Sequence, residues 1–153
     1  QLWMAEARAG AKLIEAEGDA DAQFVFARMT EDSSEMDLPK LQGAVQARVG
    51  IMREWLTFLE RYPVVICPSS GELPFEQQRD VKSKADFAAI MEAQLIQRAL
   101  PVLGIPGLAV AGGEANGAPV GVQLVASRYR EDVLFDAGAV LEAGFGVPKV
   151  ASA

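Results

Sequence analysis

The sequence predicts an α/β protein, a mixed β-sheet flanked by helices, and three features carry the prediction. Two apolar runs, Leu108–Val110 and Val120–Ala126, are separated by Gly112–Gly113, Asn116–Gly117 and Pro119, the turn chemistry that joins strands. A short all-apolar run, Val64–Cys67, is closed by Pro68 and has the composition of a strand buried on both faces in a parallel or mixed sheet. Around these runs the apolar period lengthens to about 3.6, the spacing of helices that cover a sheet.

In chain order, Leu2, Ala5, Ala9, Leu13 and Ala16 recur at spacings of three and four, which predicts a helix over Gln1–Gly18 with Gly18 as its stop. Asp19–Met29 contains Phe24–Val25–Phe26, a run too short to separate helix from strand, although its neighbours favour helix. Thr30–Asp37 is polar and acidic and reads as a loop. Pro39 suits the first turn of a helix of about 20 residues in which Leu41, Val45, Val49, Met52, Leu56 and Leu59 keep helical spacing. Ala44, Ala47, Ile51, Trp55 and Phe58 widen its apolar face and predict burial on more than one side.

Ser69–Arg79 holds Gly71 and Pro74 and makes a loop at the carboxyl end of the Val64–Cys67 strand, the edge where open α/β sheets bind ligands. Ser83, with Asp86 three residues later, forms a capping box before a helix carrying Phe87, Ile90, Met91, Leu95 and Ile96 and ending before Pro101. Val133, Ala137, Val140 and Leu141 form the stripe of a closing helix, with Glu131 and Asp132 in its first turn, where the helix dipole favours acids, and Gly144 as its stop. Gly144–Ala153 reads as a tail. Residues 1–38 are thus a helical lead-in and residues 39–153 an α/β segment, together a single domain.

At 153 residues, half of them hydrophobic, the chain has the size of one domain and can bury a majority of its unfolded surface. Fourteen basic against twenty-one acidic residues give a net charge of −7, a field that repels phosphate backbones and anionic membranes, so neither nucleic acid nor membrane is an expected partner. No apolar run approaches the ~20 residues of a transmembrane helix, and no basic-then-apolar leader opens the sequence. The lone Cys67 cannot form an internal disulfide, which points to a reducing, cytoplasmic setting. The absence of histidine excludes Ser-His-Asp and Cys-His catalysis, and histidine zinc sites, from within the chain.

The order Gly104–Ile105–Pro106, strand, glycine-rich turn, Ala118–Pro119–Val120–Gly121–Val122–Gln123–Leu124 and a helix from Glu131 through Glu142 resembles the C-terminal end of the amidase signature family. Tyr62–Pro63–Val64–Val65–Ile66–Cys67–Pro68–Ser69 is similar to that family's hydrophobic strand ending in Pro and a small hydroxyl residue, so the resemblance extends over Leu41–Ala143. It implies a share of a three-layer α/β/α fold and an enzyme that hydrolyses a carboxylic amide to acid and ammonia or amine. A Ser would attack the amide carbonyl, backbone N–H groups would hold the oxyanion, and a Lys with a second Ser in a cis peptide would shuttle the proton. The family's nucleophile lies in a Gly/Ser-rich signature, and no Gly-Gly-Ser-Ser-Gly run occurs here. The adjacent pairs Ser33–Ser34 and Ser69–Ser70 do not fit it.

The resemblance therefore implies a C-terminal portion with no catalytic residue in this chain, in keeping with Gln1 at its head in place of Met. It implies no metal and no organic cofactor. The expected partner is a small-molecule amide, reached through the missing N-terminal part, and a homodimer stays open. Two other readings stand beside this one: an amidase-like glutaminase subunit of a tRNA-dependent amidotransferase, and a non-catalytic binding or scaffold domain. A fragment should expose what its missing half covered, with Trp3, Phe24 and Phe26 as candidates.

Candidate pocket residues are Ser69, Ser70, Ile105, Pro106 and Gln123. A hydroxyl at the end of a buried strand suits an acyl pocket, and Ser69 and Ser70 equally suit turn capping. Neither has a Lys or His nearby in sequence to act as its base. Gln123 is a polar group in an apolar strand, placed there to satisfy neighbouring backbone or to touch substrate. Ile105 and Pro106 shape a pocket wall or fix the turn into the strand. Lys82–Ser83–Lys84 places Ser beside Lys, but adjacent helical residues do not face each other. Glu31, Asp32, Glu35 and Asp37 lack the spacing of a calcium loop and read as a solvated acidic loop, while the glycines lack a nucleotide-binding spacing.

Overall fold

Strands β1 (Val64–Pro68), β2 (Gly107–Ala115) and β3 (Ala118–Ala126) form a sheet in the order β1-β3-β2, with both pairings antiparallel. The computed structural model describes residues 2, 7–8, 10–31 and 35–146. Among them are seven helices: α1 (Ala11–Glu17), α2 (Ala20–Glu31), α3 (Leu38–Arg61), α4 (Arg79–Lys82), α5 (Lys84–Ala93), α6 (Leu95–Leu103) and α7 (Glu131–Phe145). The chain divides into one unit of Gln1–Gly50 with Glu76–Glu92 and a second of Ile51–Phe75 with Ala93–Ala153.

The second unit holds the sheet. Asn116 (φ 54°) and Gly117 (φ 77°) both take the left-handed conformation, as a two-residue hairpin turn requires, and they connect β2 to β3 with Ala115 opposite Ala118. The register slips between Ala111 and Gly113, a bulge that Gly113 accommodates at φ 118°. Alternation along the strands then divides the core into two layers. Val110, Leu124 and Ala126 turn to one face and bury Leu134 of α7, with Val64, Leu108, Val122, Ala137 and Leu141 around them. Val125, with Val65 and Cys67 beside it, turns to the other face and packs with Leu59 of α3, Leu100 and Leu103 of α6, and Ile105. Helices on both faces of one sheet give the α/β class expected from the sequence.

Several elements differ from the sequence reading. β1 is an edge strand with Ile66 59% exposed, because α7 lies over β2 and β3 and leaves the free side of β1 uncovered. In α3 only Leu59 is buried; Leu41, Val45, Val49, Ile51 and Phe58 are exposed, since only the last turns of the helix rest on the sheet. Pro101 lies inside α6 instead of beyond it. The apolar Leu100 and Leu103 hold that last turn in the core, and Gly104, at φ 65°, closes it by donating to the Leu100 and Pro101 carbonyls. The helix predicted from Ser83 is two pieces, α5 and α6, broken at Gln94, and the short α4 precedes its start. The buried face of α7 is Leu134 and Gly138 with Ala137 and Leu141; Val140 is exposed, and the helix passes Gly144 to stop at Gly146.

In the first unit, α1 ends at Gly18 and packs on α2, which in turn meets α4. Asp19 caps α2 by accepting from the Ala22 N–H at 2.8 Å, and Asp37 caps α3 by accepting from the Lys40 N–H at 2.8 Å. Helix α2 runs two residues into the predicted loop, and the Thr30 hydroxyl donates back to the Phe26 carbonyl at 2.9 Å. Glu31 accepts from Lys84 Nζ at 2.6 Å and pairs with Arg28; the Lys84 hydrogen bond is the main cause holding its carboxyl below the ordinary value. Ser83 and Asp86 form the expected capping box, the Asp86 N–H donating to Ser83 Oγ at 3.0 Å and Ser83 Oγ donating to Asp86 Oδ2 at 2.6 Å. Phe24 and Phe26 are half-buried, with the Arg28 guanidinium over the Phe24 ring. Trp3, Asp32, Ser33 and Ser34 lie outside the described residues.

Candidate functional site

At the carboxyl end of β1 the chain turns into the segment Ser69–Phe75, and a cavity of about 570 Å³ opens there. Its walls include Ser69, Ser70, Leu73 and Phe75 from that segment, Gln97 from α6 and Val120 from β3. Four hydrogen bonds fix the start of the segment. Ser69 Oγ donates to the Gly121 carbonyl at 3.3 Å, and Gln97 Nε2 donates to the Ser69 carbonyl at 2.6 Å. The Gly71 N–H donates to the Ala93 carbonyl at 2.7 Å, and the Glu72 N–H donates to Ser70 Oγ at 3.3 Å. A Cβ at Gly71 would stand 3.2 Å from the Ala93 Cα, so the segment lies tightly against the end of α5. Both serines thus act on backbone: one ties the loop to β3, the other closes a turn.

A shallower hollow of about 240 Å³ lies beside the cavity, lined by Gln97, Leu100, Pro101, Ile105, Gly107 and Gln123. Gln123 stands on the α6 face of the sheet, opposite Cys67 on one side and Ala109 on the other. Its backbone carbonyl accepts from Cys67 Sγ at 3.4 Å. Burial pushes the Cys67 thiol pKa up, so the group stays protonated at neutral pH and its sulfur is a poor nucleophile.

The five residues singled out from the sequence therefore fall into different places. Ser69 and Ser70 meet in the cavity, while Ile105, which is 5% exposed and part of the core, meets Gln123 in the hollow. Pro106 lines neither; its carbonyl accepts from the Ala126 N–H at 3.4 Å and fastens the approach to β2 onto the end of β3. Gln97, which borders both spaces, was not singled out from the sequence. Its signal was there: Gln94 and Gln97 sit three apart on a helix whose other positions include Leu95, Ile96 and Leu100.

The cavity is mainly apolar, with one acidic side chain, Glu72, in its lining. Pro68, Pro119, Leu73 and Phe75 give it greasy walls, serine hydroxyls and glutamine amides give it hydrogen-bonding groups, Glu72 gives it a carboxylate, and among the described residues no Lys or Arg lines it. Such a lining suits a ligand with an apolar body and a polar end and disfavours an anionic one. Among the described residues no cluster of three or more His, Cys, Asp or Glu is placed to hold a metal ion, and no helix is long and apolar enough to cross a membrane.

A sheet covered by helices on both faces, with a mainly apolar cavity at a strand's carboxyl end, is an α/β architecture. The family pattern described as Amidase matches residues 8–135, and the chain belongs to the amidase family. It is similar to an indoleacetamide hydrolase of Bradyrhizobium japonicum, 39% identical over 130 residues, which cover 83% of this chain and 28% of that protein. An indoleacetamide hydrolase of Bradyrhizobium diazoefficiens is 34% identical over 120 residues, covering 78% of this chain and 23% of the relative. A glutamyl-tRNA(Gln) amidotransferase subunit from Streptococcus gordonii is 28% identical over 100 residues, covering 65% of this chain and 20% of the relative. The chain spans about a quarter of the length of these curated relatives.

Proposed function

We propose that this chain is the C-terminal portion of an amidase that hydrolyses a neutral carboxylic amide to acid and ammonia, and that it supplies one wall of the acyl pocket. Membership of the amidase family supports amide hydrolysis as the reaction class. The single observation that carries the pocket assignment is the 570 Å³ cavity at the carboxyl end of β1, walled by apolar residues with Ser69, Ser70, Glu72 and Gln97 as polar lining. In this reading the nucleophilic serine, the lysine and the second serine lie outside Gln1–Ala153, and the reaction passes through an acyl-serine that water releases. The chain positions the acyl group, and its half-buried serines hold the wall and do no covalent chemistry.

The relatives favour two substrates of opposite character. The acyl part of indoleacetamide is flat and uncharged, whereas glutamine presents an α-carboxylate that calls for a cation. Glu72 in the cavity lining, with no Lys or Arg there among the described residues, disfavours a carboxylate and so supports an amide whose acyl part carries no negative charge. The test is ammonia release by the complete natural protein carrying this sequence, given indole-3-acetamide and, separately, glutamine. Release from the aryl amide, with little from glutamine, is the expected result. Release from glutamine alone would replace the neutral-amide reading with the glutaminase one, and release from neither would sink both.

A further inference from the structure

Gln97 has a part in the fold beyond lining the pocket. It lines both the cavity and the neighbouring hollow, and its amide reaches across 28 residues of chain to the first carbonyl beyond β1, that of Ser69. That carbonyl belongs to a residue whose hydroxyl is already spent on Gly121, so the peptide at Ser69 is held from two sides, by β3 and by α6. The acceptor is a carbonyl, which cannot donate, and this fixes which end of the Gln97 amide faces it. The adjoining Gly71 and Glu72 N–H groups are bonded in turn to Ala93 and Ser70. Releasing the Ser69 carbonyl frees the first link of that series and lets the Ser69–Phe75 wall move relative to Val120.

We propose that Gln97 is a positioning residue that sets the shape of the cavity by clamping the Ser69 carbonyl, and so tunes which acyl groups the site accepts. The specificity part rests on the amidase reading above; the clamp itself does not. Gln97 is exposed and contributes little to the core, so its replacement can alter the wall without unfolding the unit.

The test uses the complete natural protein with Gln97→Glu, which keeps the size of the side chain but turns an acceptor toward an acceptor, and Gln97→Lys, which restores a donor of sufficient reach. For the wild type and both variants, KM and kcat are measured on a bulky aryl acetamide and on a small aliphatic amide. Hydrogen–deuterium exchange of residues 69–73 is followed in parallel. Loss of one hydrogen bond corresponds to a rise of about fivefold in KM for the aryl amide in Gln97→Glu, with kcat nearly unchanged. Exchange at Gly71 and Glu72 should quicken in that variant, and Gln97→Lys should restore both readouts. Unaltered exchange in Gln97→Glu overturns the clamp, as does an equal loss of kcat in both variants. If the wild type hydrolyses no amide while exchange responds as expected, the amidase reading fails and the clamp stands. If the wild type is active and exchange responds but KM for the two amides does not separate, the role in specificity is overturned.

Discussion

Gly107 and Gln123 approach each other so closely across the β2–β3 pair that a Cβ on Gly107 would overlap Gln123 Nε2 and come within 3.1 Å of Leu100 Cδ1. The glycine is there because the glutamine side chain crosses over it on the α6 face of the sheet. Gly107→Ala should therefore force the Gln123 amide aside, and the two positions should couple. We expect Gly107→Ala to cost about 1 kcal/mol in the wild type and clearly less in a Gln123→Ala background, a non-additivity read by a double-mutant cycle of urea unfolding. Additive losses would show that Leu100, and not Gln123, is what the new methyl meets.

A second glycine allows no such escape. A Cβ on Gly121 would stand 2.7 Å from the Val110 carbonyl, and backbone inside a sheet cannot swing away as an amide can. Gly121→Ala should destabilise the protein by about 2 kcal/mol. Gly138 in α7 gives the contrast. Its added Cβ would meet Leu108 Cδ2 at 2.8 Å, a terminal methyl that can rotate, and alanine gains helix propensity of up to ~1 kcal/mol over glycine. Gly138→Ala should thus be much the milder change, and equal midpoints for the two variants in chemical denaturation would contradict this account.

The Ser83–Asp86 box makes a prediction about acid. The Ser83 hydroxyl, and after it Arg79, hold the Asp86 carboxyl below its ordinary range. A carboxyl whose pKa falls on folding contributes stability above its unfolded pKa, near pH 4, and that contribution is lost as pH falls through the lower folded value. Ser83→Ala should therefore be more destabilising at pH 7 than at pH 3, measured as the difference in denaturation midpoint from wild type. The same difference at both pH values would mean that Ser83 acts on backbone alone.

What could be read from the sequence followed from local chemistry. Asn116–Gly117 announced the hairpin because few residue pairs tolerate two successive left-handed conformations, and the Ser83–Asp86 spacing announced a helix start. The apolar stripe of α3 was visible too, but its burial was not, because periodicity shows which residues share a face and not whether anything covers that face. Pro101 misled for a related reason: tertiary packing of Leu100 and Leu103 outweighed a local stop signal. At the site, Ser69 and Ser70 stood out as hydroxyls after a strand, whereas Gln97 comes to them through folding, from a helix 28 positions along the chain.

The free edge of β1 carries its own safeguard. Val64–Cys67 is an uncharged apolar run with one side unpaired among the described residues, the kind of strand that invites a second molecule to zip onto it. Pro63 and Pro68 bracket it, and neither has an N–H to offer a neighbouring chain. An intruding strand would find a ladder too short to extend in either direction. The two prolines limit any strand added at this edge to the four residues between them, at the strand that leads into the cavity.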